Sequence, residues 1–274
     1  MTVPQVALND GTSIPQLGFG VYQIPDDQVA AAVTTALEVG YRSIDTAALY
    51  RNETGTGRAI AQSGLPRSEV YVTTKLWNSD QGYDSTLRAF DASLSRLGLE
   101  YVDLYLIHWP TPARDTYVDT WRAFEKLRAD GLARSIGVSN FHRPHLDRLL
   151  AETDVVPVVN QIELHPNLPQ SDLRAYHAAQ GIATEAWSPL AAGDLLSNPV
   201  VGAIATRLER TPAQVILRWH VQLGNVVIPK SVNPDRIRSN FDIFDFTLTD
   251  DDLAHLSTLD NGNRVGPDPD HFNR

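Results

Sequence analysis

The feature that most constrains the fold of this 274-residue chain is a regular alternation of short apolar segments with helical stretches. Starting at residues 18–22, eight apolar segments are each followed by a helix or a helical stretch. Glycines end several of these stretches, and Pro212 and Pro234 each follow a residue suited to cap a helix. Alternating strands and helices predict a parallel sheet. Eight units without a linker-like break predict one α/β domain over residues 1–274, folded as a (β/α)8 TIM barrel.

A β-hairpin is predicted ahead of this alternation. Residues 6–8 and 14–17 are apolar and flank the turn Asn9-Asp10-Gly11-Thr12, in which the Asp-Gly pair accepts positive φ angles. The hairpin is therefore expected outside the eight barrel strands.

Most of the predicted strands end in a polar or reactive side chain. Because a parallel barrel collects the carboxyl ends of its strands at one mouth, these side chains predict a functional site there. Segments 41–44, 70–74, 102–107, 135–138, 158–160, 182–186 and 226–229 lead to Asp45, Lys75, His108, Ser139-Asn140, Gln161, Trp187 and Lys230, respectively.

Three of these mouth residues, together with Tyr50 five positions after Asp45, form a coherent proton-delivery set. The tyrosine pKa of about 10 is too high for efficient acid–base catalysis near neutrality. Lys75 close to Tyr50 would favour the phenolate and lower that pKa, and Asp45 is the available counter-ion for a buried Lys75. His108 would act as a neutral donor that orients a carbonyl oxygen. We expect the four to work together.

A second cluster is basic and predicts a phosphate site. Residues 230–238 contain Lys230, Arg236 and Arg238 in a chain whose net charge is −10. The cluster follows the last strand at a predicted helix start, where amide groups and the helix dipole attract phosphate. A solvated helix face is the alternative, but barrels often bind phosphate after strands seven and eight, which favours the phosphate interpretation.

The remaining strand-end residues suit a flat ligand that carries an amide. Trp187 could stack on its ring, and the loop with Ser188 and Leu190 could pass over a diphosphate. The usual dinucleotide fingerprint is missing, because neither Gly18-Phe19-Gly20 nor Gly55-Thr56-Gly57 continues to a third glycine in the required context. Hydrogen bonds to a carboxamide are expected from Ser139, Asn140 and Gln161, and the substrate side would be walled by Tyr22, Trp77 and Trp109.

Composition excludes several classes of protein. The net charge argues against a nucleic-acid or anionic-membrane partner, and the absence of cysteine excludes disulfides and thiolate chemistry. No signal peptide or membrane-spanning run is recognisable, so we expect a cytoplasmic protein. We also expect a monomer. His165 is expected to be structural. No metal site is predicted, because the remaining histidines show no metal-ligand spacing with carboxylates: His142, His145, His177, His220, His255 and His271.

The residues above lie in longer motifs that resemble the aldo-keto reductase family from Val3 to the tail. Within that family the chain is most similar to the short bacterial enzymes typified by 2,5-diketo-D-gluconate reductase. The resemblance implies a barrel closed at its base by the leading hairpin, with NADPH bound without a Rossmann motif. The motifs are Asp45-Thr-Ala-Ala-Leu-Tyr50, Thr74-Lys75-Leu76-Trp77, Leu106-Ile107-His108-Trp109-Pro110, Gly137-Val-Ser-Asn-Phe141, Asn160-Gln-Ile-Glu-Leu-His165-Pro166 and Ile228-Pro-Lys-Ser-Val232.

The resemblance also implies a role for each residue. The catalytic tetrad is Asp45, Tyr50, Lys75 and His108, with Tyr50 as the general acid. Contacts to the nicotinamide fall on Ser139, Asn140, Gln161 and Trp187. Contacts to the adenosine 2′-phosphate fall on Lys230, Ser231, Val232 and Arg236, with Asn240 near adenine. Arg238 would partly replace a carboxylate that many members carry where this chain has Ser239. Further cofactor contacts are assigned to Gly20, Val21, Tyr22, Ser188, Leu190 and Asn233, and substrate contacts to Tyr22, Trp77, His108 and Trp109.

The implied activity is NADPH-dependent reduction of an aldehyde or ketone, either a diketo sugar acid or another small carbonyl. The tail, residues 260–274, is expected near the substrate mouth. Two alternatives remain open. One is a Schiff-base aldolase that uses Lys75, which pairing with Asp45 disfavours because a paired lysine is a poor nucleophile. The other is a nicotinamide-binding sensor with little turnover.

Overall fold

The computed structural model describes residues 3–274, and its chain begins with the predicted hairpin. Strands β1 (Gln5–Ala7) and β2 (Ser13–Pro15) pair antiparallel, with Val6 opposite Ile14. Gly11 has a φ of 86° in the turn, a conformation that glycine adopts without steric cost. The hairpin prediction is confirmed.

Eight parallel strands follow, each hydrogen-bonded to the next in chain order. The first and last strands also join: Gly18 N donates to Val227 O at 2.9 Å and Gly20 N donates to Pro229 O at 3.1 Å. The sheet therefore closes on itself, which confirms the (β/α)8 barrel. The strands are β3 Phe19–Gly20, β4 Ser43–Asp45, β5 Tyr71–Leu76, β6 Val102–Ile107, β7 Ala133–Ser139, β8 Val159–Glu163, β9 Ala183–Trp187 and β10 Val226–Val227.

In the described part of the chain, residues 3–274, ten α-helices connect or follow the strands. The predicted caps before Pro212 and Pro234 are confirmed: Thr211 and Gln214 form a capping box, and Asn233 accepts two backbone N–H groups. Thr249 and Asp252 form a further capping box. The helices are α1 Asp26–Val39, α2 Glu53–Gln62, α3 Tyr83–Leu97, α4 Tyr117–Ala129, α5 Arg143–Glu152, α6 Ser171–Gln180, α7 Pro199–Leu208, α8 Pro212–Gln222, α9 Pro234–Phe241 and α10 Asp250–Ser257.

Five strands extend past their predicted ends, and they include Asp45, Lys75, Ser139, Gln161 and Trp187. The extension is longest in β5 and β8, which continue to Leu76 and Glu163. Lys75 pairs with Leu106, and Gln161 pairs with Glu185, so both residues lie within strands instead of following them. The reason is that backbone pairing with the neighbouring strand continues through polar residues. As strand residues, both are held by the ladder on either side, which gives their side chains a more rigid base than a loop would.

The hairpin covers the end of the barrel opposite the predicted site. Ser135, near the start of β7, donates to Asp10 Oδ2 at 2.7 Å, and Asn9 Nδ2 donates to Pro157 O at 3.0 Å just before β8. The hairpin thus contacts the amino-terminal ends of the strands, which leaves the carboxyl ends free to form the mouth. Within residues 3–274, no helix combines the length and apolar character needed to cross a membrane.

Candidate active site

Lys75 and Asp45 form a buried ion pair at the mouth of the barrel. Neighbouring strands β4 and β5 carry them, and Lys75 Nζ lies 2.6 Å from Asp45 Oδ1. Lys75 Nζ also donates to Thr46 O at 3.0 Å and lies 3.4 Å from the Tyr50 hydroxyl. Burial alone would lower the pKa of Lys75, but the charges of Asp45 and Tyr50 outweigh burial and raise it above its ordinary value. Lys75 is therefore a stable cation.

Tyr50 reaches this ion pair from a single 3₁₀ turn, Ala48–Tyr50, that follows β4. Burial raises the pKa of Tyr50 to about 12, although the charge of Lys75 acts in the opposite direction. Lys75 lowers the pKa of Tyr50 as expected, but the removal of the hydroxyl from water is the stronger effect, so the pKa lies above its ordinary value. At neutral pH Tyr50 carries its proton, as a general acid must.

His108 stands directly after β6 on the other side of Tyr50. Its ring centroid lies 5.7 Å from that of Tyr50 and 5.2 Å from that of Trp77. Burial, together with the charge of Lys75, keeps the pKa of His108 well below its usual range, so the ring is neutral. His108 Nδ1 is buried without a hydrogen-bond partner in residues 3–274, which leaves Nε2 as the nitrogen able to face a ligand.

The polar residues predicted for a carboxamide form one connected network. Asn140 Nδ2 donates to His108 O at 2.9 Å and to Ser139 Oγ at 3.0 Å, and Asn140 Oδ1 accepts from Trp187 Nε1 at 2.8 Å. Ser139 Oγ donates to Gln161 O at 2.8 Å. The network fixes the indole of Trp187 at the mouth. Because these hydrogen bonds use the N–H and O–H donors of the network, its oxygen atoms remain available to accept hydrogen bonds from a bound ligand.

Gln161 joins this network to the ion pair. Its Nε2 donates to Asp45 Oδ2 at 2.8 Å and to Glu185 Oε2 at 2.9 Å. Glu185 is absent from the residues predicted for the site. It lies two positions before Trp187 on β9, and the two-residue period of a strand would have put it on the same face as Trp187.

The aromatic residues predicted for the substrate side pack against Tyr50 and against the tail. Tyr22 packs against Tyr50 with centroids 4.9 Å apart and is 53% exposed. Trp77 and Trp109 both contact Phe272, with centroids 6.4 and 4.5 Å apart. Phe272 was not predicted as a site residue, because a single aromatic residue in a polar tail carries no periodic signal.

The tail is fixed at several points along its course. Glu163, at the end of β8, accepts hydrogen bonds from Val265 N at 2.6 Å and Gly266 N at 3.0 Å. Asn78 Nδ2 donates to Arg274 O at 2.7 Å. These bonds hold the final residues against the loops that carry Trp77 and Trp109.

The basic cluster lies beyond β10 with two cations unpaired. Within residues 3–274, Lys230 and Arg236 form no ion pair, whereas Arg238 lies 3.5 Å from Asp235. Asn233 Oδ1 accepts from the backbone of Asp235 and Arg236 at 2.9 and 3.1 Å. The expectation of free amides at this helix start is therefore wrong, because the Asn233 cap occupies them.

The other residues predicted to contact the cofactor lie around α9 and at the carboxyl ends of β3 and β9. Ser231 accepts from Asn233 N at 3.1 Å, Val232 is exposed, and Asn240 is buried on α9. Gly20 lies against β10, where a Cβ atom would meet Ile228 O at 3.1 Å. Val21 is buried beside it, and Ser188 and Leu190 are half-buried after β9.

Within residues 3–274, one group of charged residues has ligand atoms close enough together to hold a metal ion. Potential ligand atoms of His142, Asp268 and Asp270 lie within 4.8 Å of one another, although the sequence separates them widely. Sequence spacing gives no sign of these neighbours, because the tail reaches His142 only by folding back onto the start of α5. Both ring nitrogens of His142 already have partners: Asp270 at 2.8 Å and Arg264 at 3.0 Å. The group fastens the tail.

Comparison with known proteins identifies the family. The model of the Aldo/keto reductase family matches residues 15–261. An aldo-keto reductase from Mycolicibacterium smegmatis is 62% identical over 270 residues, which are 98% of each chain. Methylglyoxal reductase DkgA from Escherichia coli is 50% identical over 269 residues, 97% of each chain.

Solved structures agree with the sequence comparison. An aldo/keto reductase from Brucella melitensis superposes with a TM-score of 0.92 at 57% identity, covering 94% of this chain and 100% of that one. A mutant of Gox0644 in complex with NADPH superposes with a TM-score of 0.96 at 48% identity over 99% of each chain. This chain belongs to the aldo/keto reductase family.

Proposed function

We propose that this protein reduces a small aldehyde or ketone to the alcohol with NADPH, and that Tyr50 provides the proton. The observation that carries the proposal is the position of Lys75 Nζ, 2.6 Å from Asp45 Oδ1 and 3.4 Å from the Tyr50 hydroxyl. A cation so placed stabilises the phenolate that remains after proton transfer. Asp45 in turn keeps the cation in place.

The residues at the mouth fit a nicotinamide dinucleotide phosphate. Trp187, fixed by its bond to Asn140, offers a flat surface to a ring. Acceptor oxygens on Gln161 and Asn140 suit the N–H groups of a carboxamide. Beyond β10, the cations of Lys230 and Arg236 have no ion-pair partner within residues 3–274 and suit a phosphate monoester. We assign the 2′-phosphate to these two side chains, and the adjoining contacts to Ser231, Val232, Asn233, Arg238 and Asn240.

The protein's contribution to the reaction follows from these contacts. NADPH, when bound, supplies the hydride that adds to the carbonyl carbon. As the C=O electron pair moves onto oxygen, Tyr50 donates its proton to that oxygen. His108, being neutral, donates a hydrogen bond from Nε2 that holds the carbonyl oxygen near Tyr50. Lys75 stabilises the resulting phenolate until it regains a proton from water.

The lining of the mouth favours a small uncharged substrate. Tyr22, Trp77, Trp109 and Phe272 present neutral rings, and removing a carboxylate from water without a cation is costly. Methylglyoxal reductase DkgA, a relative at 50% identity, is named for such a compound. We therefore rank methylglyoxal above 2,5-diketo-D-gluconate as a substrate. We also propose that the tail, residues 260–274, borders the substrate mouth.

The two alternatives have less support. A Schiff-base aldolase needs a neutral amine, but Asp45 keeps Lys75 protonated. A sensor with little turnover would not need the complete set of Asp45, Tyr50, Lys75 and His108.

The test is a panel of carbonyl compounds followed by loss of NADPH absorbance. We expect turnover with methylglyoxal and other small aldehydes, and a lower kcat/KM for 2,5-diketo-D-gluconate. No NADPH oxidation with any aldehyde or ketone would overturn the proposal.

A further inference from the structure

Glu185 is a buried carboxyl group next to the ion pair, and the chemistry described so far does not use it. It lies on β9, is 1% exposed, and accepts a hydrogen bond from Gln161 Nε2 at 2.9 Å. The same nitrogen donates to Asp45 Oδ2 at 2.8 Å. Both hydrogens of the Gln161 amide are therefore taken by carboxyl groups on opposite sides.

The charges around Glu185 make it an unusual residue for a purely structural position. Lys75 is the cation of this cluster and already pairs with Asp45, and Glu185 forms no ion pair within residues 3–274. Burial, together with the charge of Asp45, raises the pKa of Glu185 to about 8. The group is then neutral at pH 7 and accepts through its carbonyl oxygen. Burying a polar group lowers the stability of the fold unless the group is hydrogen-bonded. For packing alone, an apolar side chain of similar size would therefore serve at this position.

The backbone of Gln161 is already fixed, so only its side chain can still move. Its carbonyl oxygen accepts from Ser139 Oγ at 2.8 Å and from Asn140 N at 2.9 Å. If the Gln161 side chain made only one hydrogen bond, its amide plane could rotate about the axis of that hydrogen bond. Two bonds from the same NH₂ group, in different directions, hold the plane still.

We propose that Glu185 is a positioning residue that, together with Asp45, fixes the Gln161 amide so that Oε1 is presented to the nicotinamide carboxamide. The proposal rests on the proposed function, in which Gln161 contacts the nicotinamide. Glu185 itself does not touch the cofactor. It acts through Gln161.

The test compares NADP⁺ with 2′-phospho-ADP-ribose, which lacks the nicotinamide but keeps the remaining contacts. Loss of one hydrogen bond is worth a few-fold in affinity, so Glu185→Met should weaken NADP⁺ binding about threefold to tenfold. Its affinity for 2′-phospho-ADP-ribose should not change. Glu185→Gln retains an acceptor oxygen and should restore wild-type affinity for NADP⁺. Calorimetric titration of each full-length variant measures both constants, and Glu185→Ala replaces Glu185→Met if that variant does not fold.

Gln161→Met separates failure of this inference from failure of the proposed function. If Gln161→Met weakens NADP⁺ binding selectively and Glu185→Met does not, the role of Glu185 is overturned while the nicotinamide contact stands. Equal losses for both ligands in Glu185→Met would mean a structural role and would also overturn the inference. If Gln161→Met loses no affinity for NADP⁺, the nicotinamide assignment fails and the inference with it. Wild-type NADPH oxidation tests the reductase proposal independently.

Discussion

Lys75 is the residue on which the other mouth side chains depend, because its ammonium group contacts both Asp45 and Tyr50. The side chain is fully buried, and its partner Asp45 is nearly so. Without the lysine, Asp45 would remain as a buried charge whose remaining side-chain partner is the neutral amide of Gln161. The ion pair of Lys75 and Asp45 therefore both stabilises the fold and supports proton transfer by Tyr50.

Lys75→Met should abolish carbonyl turnover and lower the free energy of unfolding by about 3–5 kcal/mol, the usual cost of leaving one partner of a dry ion pair unpaired. Asp45→Asn should reduce the rate less, because the lysine cation still reaches Tyr50. Urea denaturation and steady-state rates measure the two effects. Lys126→Met is the matched control, because Lys126 pairs with Asp130 on the surface and its loss should change little. A Lys75→Met variant that is as stable and as active as the wild type would show that the ion pair contributes neither to stability nor to proton transfer.

Glu185 should make the stability of the protein depend on pH. Its pKa rises from an ordinary 4.5 to about 8 in the folded state, so between these values the folded state binds more protons than the unfolded state. The stabilisation is complete below pH 4.5 and is lost as pH rises through about 8. Melting temperatures of wild type and Glu185→Gln, measured from pH 5 to pH 9, should diverge in favour of the variant as pH rises. If the melting temperatures of the two proteins changed in parallel over this pH range, Glu185 would be ionised in the folded protein.

At the scale of elements, the tail packs against the aromatic side chains proposed to line the substrate side. Phe272 contacts both Trp77 and Trp109, and Glu163 fixes the tail through the backbone of Val265 and Gly266. A side chain at position 266 would also meet Trp187, since a Cβ atom there would lie 2.4 Å from the indole. The end of the chain and the wall of the mouth are thus packed as one unit.

Phe272→Ala should raise KM for carbonyl substrates about twofold to tenfold, because one aromatic pair contributes about 0.5–1.5 kcal/mol beyond the area it buries. Affinity for NADPH should remain the same, since Phe272 contacts Trp77 and Trp109, which we assign to the substrate, and none of the residues assigned to the cofactor alone. Val265→Ala is the control, because that side chain is exposed and only its backbone N–H is used. Steady-state kinetics with saturating NADPH distinguish the two variants. An unchanged KM in Phe272→Ala would place the substrate elsewhere.

The start of α9 should determine cofactor choice through side chains, because Asn233 already occupies the backbone N–H groups of Asp235 and Arg236. Arg236→Ala should weaken NADPH binding roughly 10–100-fold, since hydrogen bonds to charged groups are worth about 1.5–3 kcal/mol. NADH affinity should change little. Arg238→Ala should lose less than Arg236→Ala, because Arg238 pairs with Asp235. Fluorescence titration with both cofactors measures these affinities, and equal losses for NADPH and NADH in Arg236→Ala would mean that the 2′-phosphate binds elsewhere.

At the scale of the whole molecule, strand alternation made the barrel and its mouth predictable. Asp45, Lys75 and His108 could be found because each ends or nearly ends a strand, and the topology brings such ends together. Glu185 and Phe272 were missed because one lies inside a strand and the other in a polar tail. The effect of Lys75 on the pKa of Tyr50 was predicted, but the larger opposing effect of burial was not, because the loss of water around the hydroxyl depends on packing by distant segments. The contact of His142 with the tail depends on the same long-range folding.

The most direct test of the account is Tyr50→Phe, which keeps the ring and removes only the hydroxyl. General acid catalysis is typically worth 10²–10⁴-fold, so carbonyl turnover should fall by roughly that factor. NADPH binding should stay near wild type, because the residues assigned to the cofactor are untouched. Stopped-flow measurement of NADPH oxidation with methylglyoxal, together with an NADPH titration, provides both quantities. A variant that binds NADPH normally and reduces the carbonyl at the wild-type rate would contradict the account.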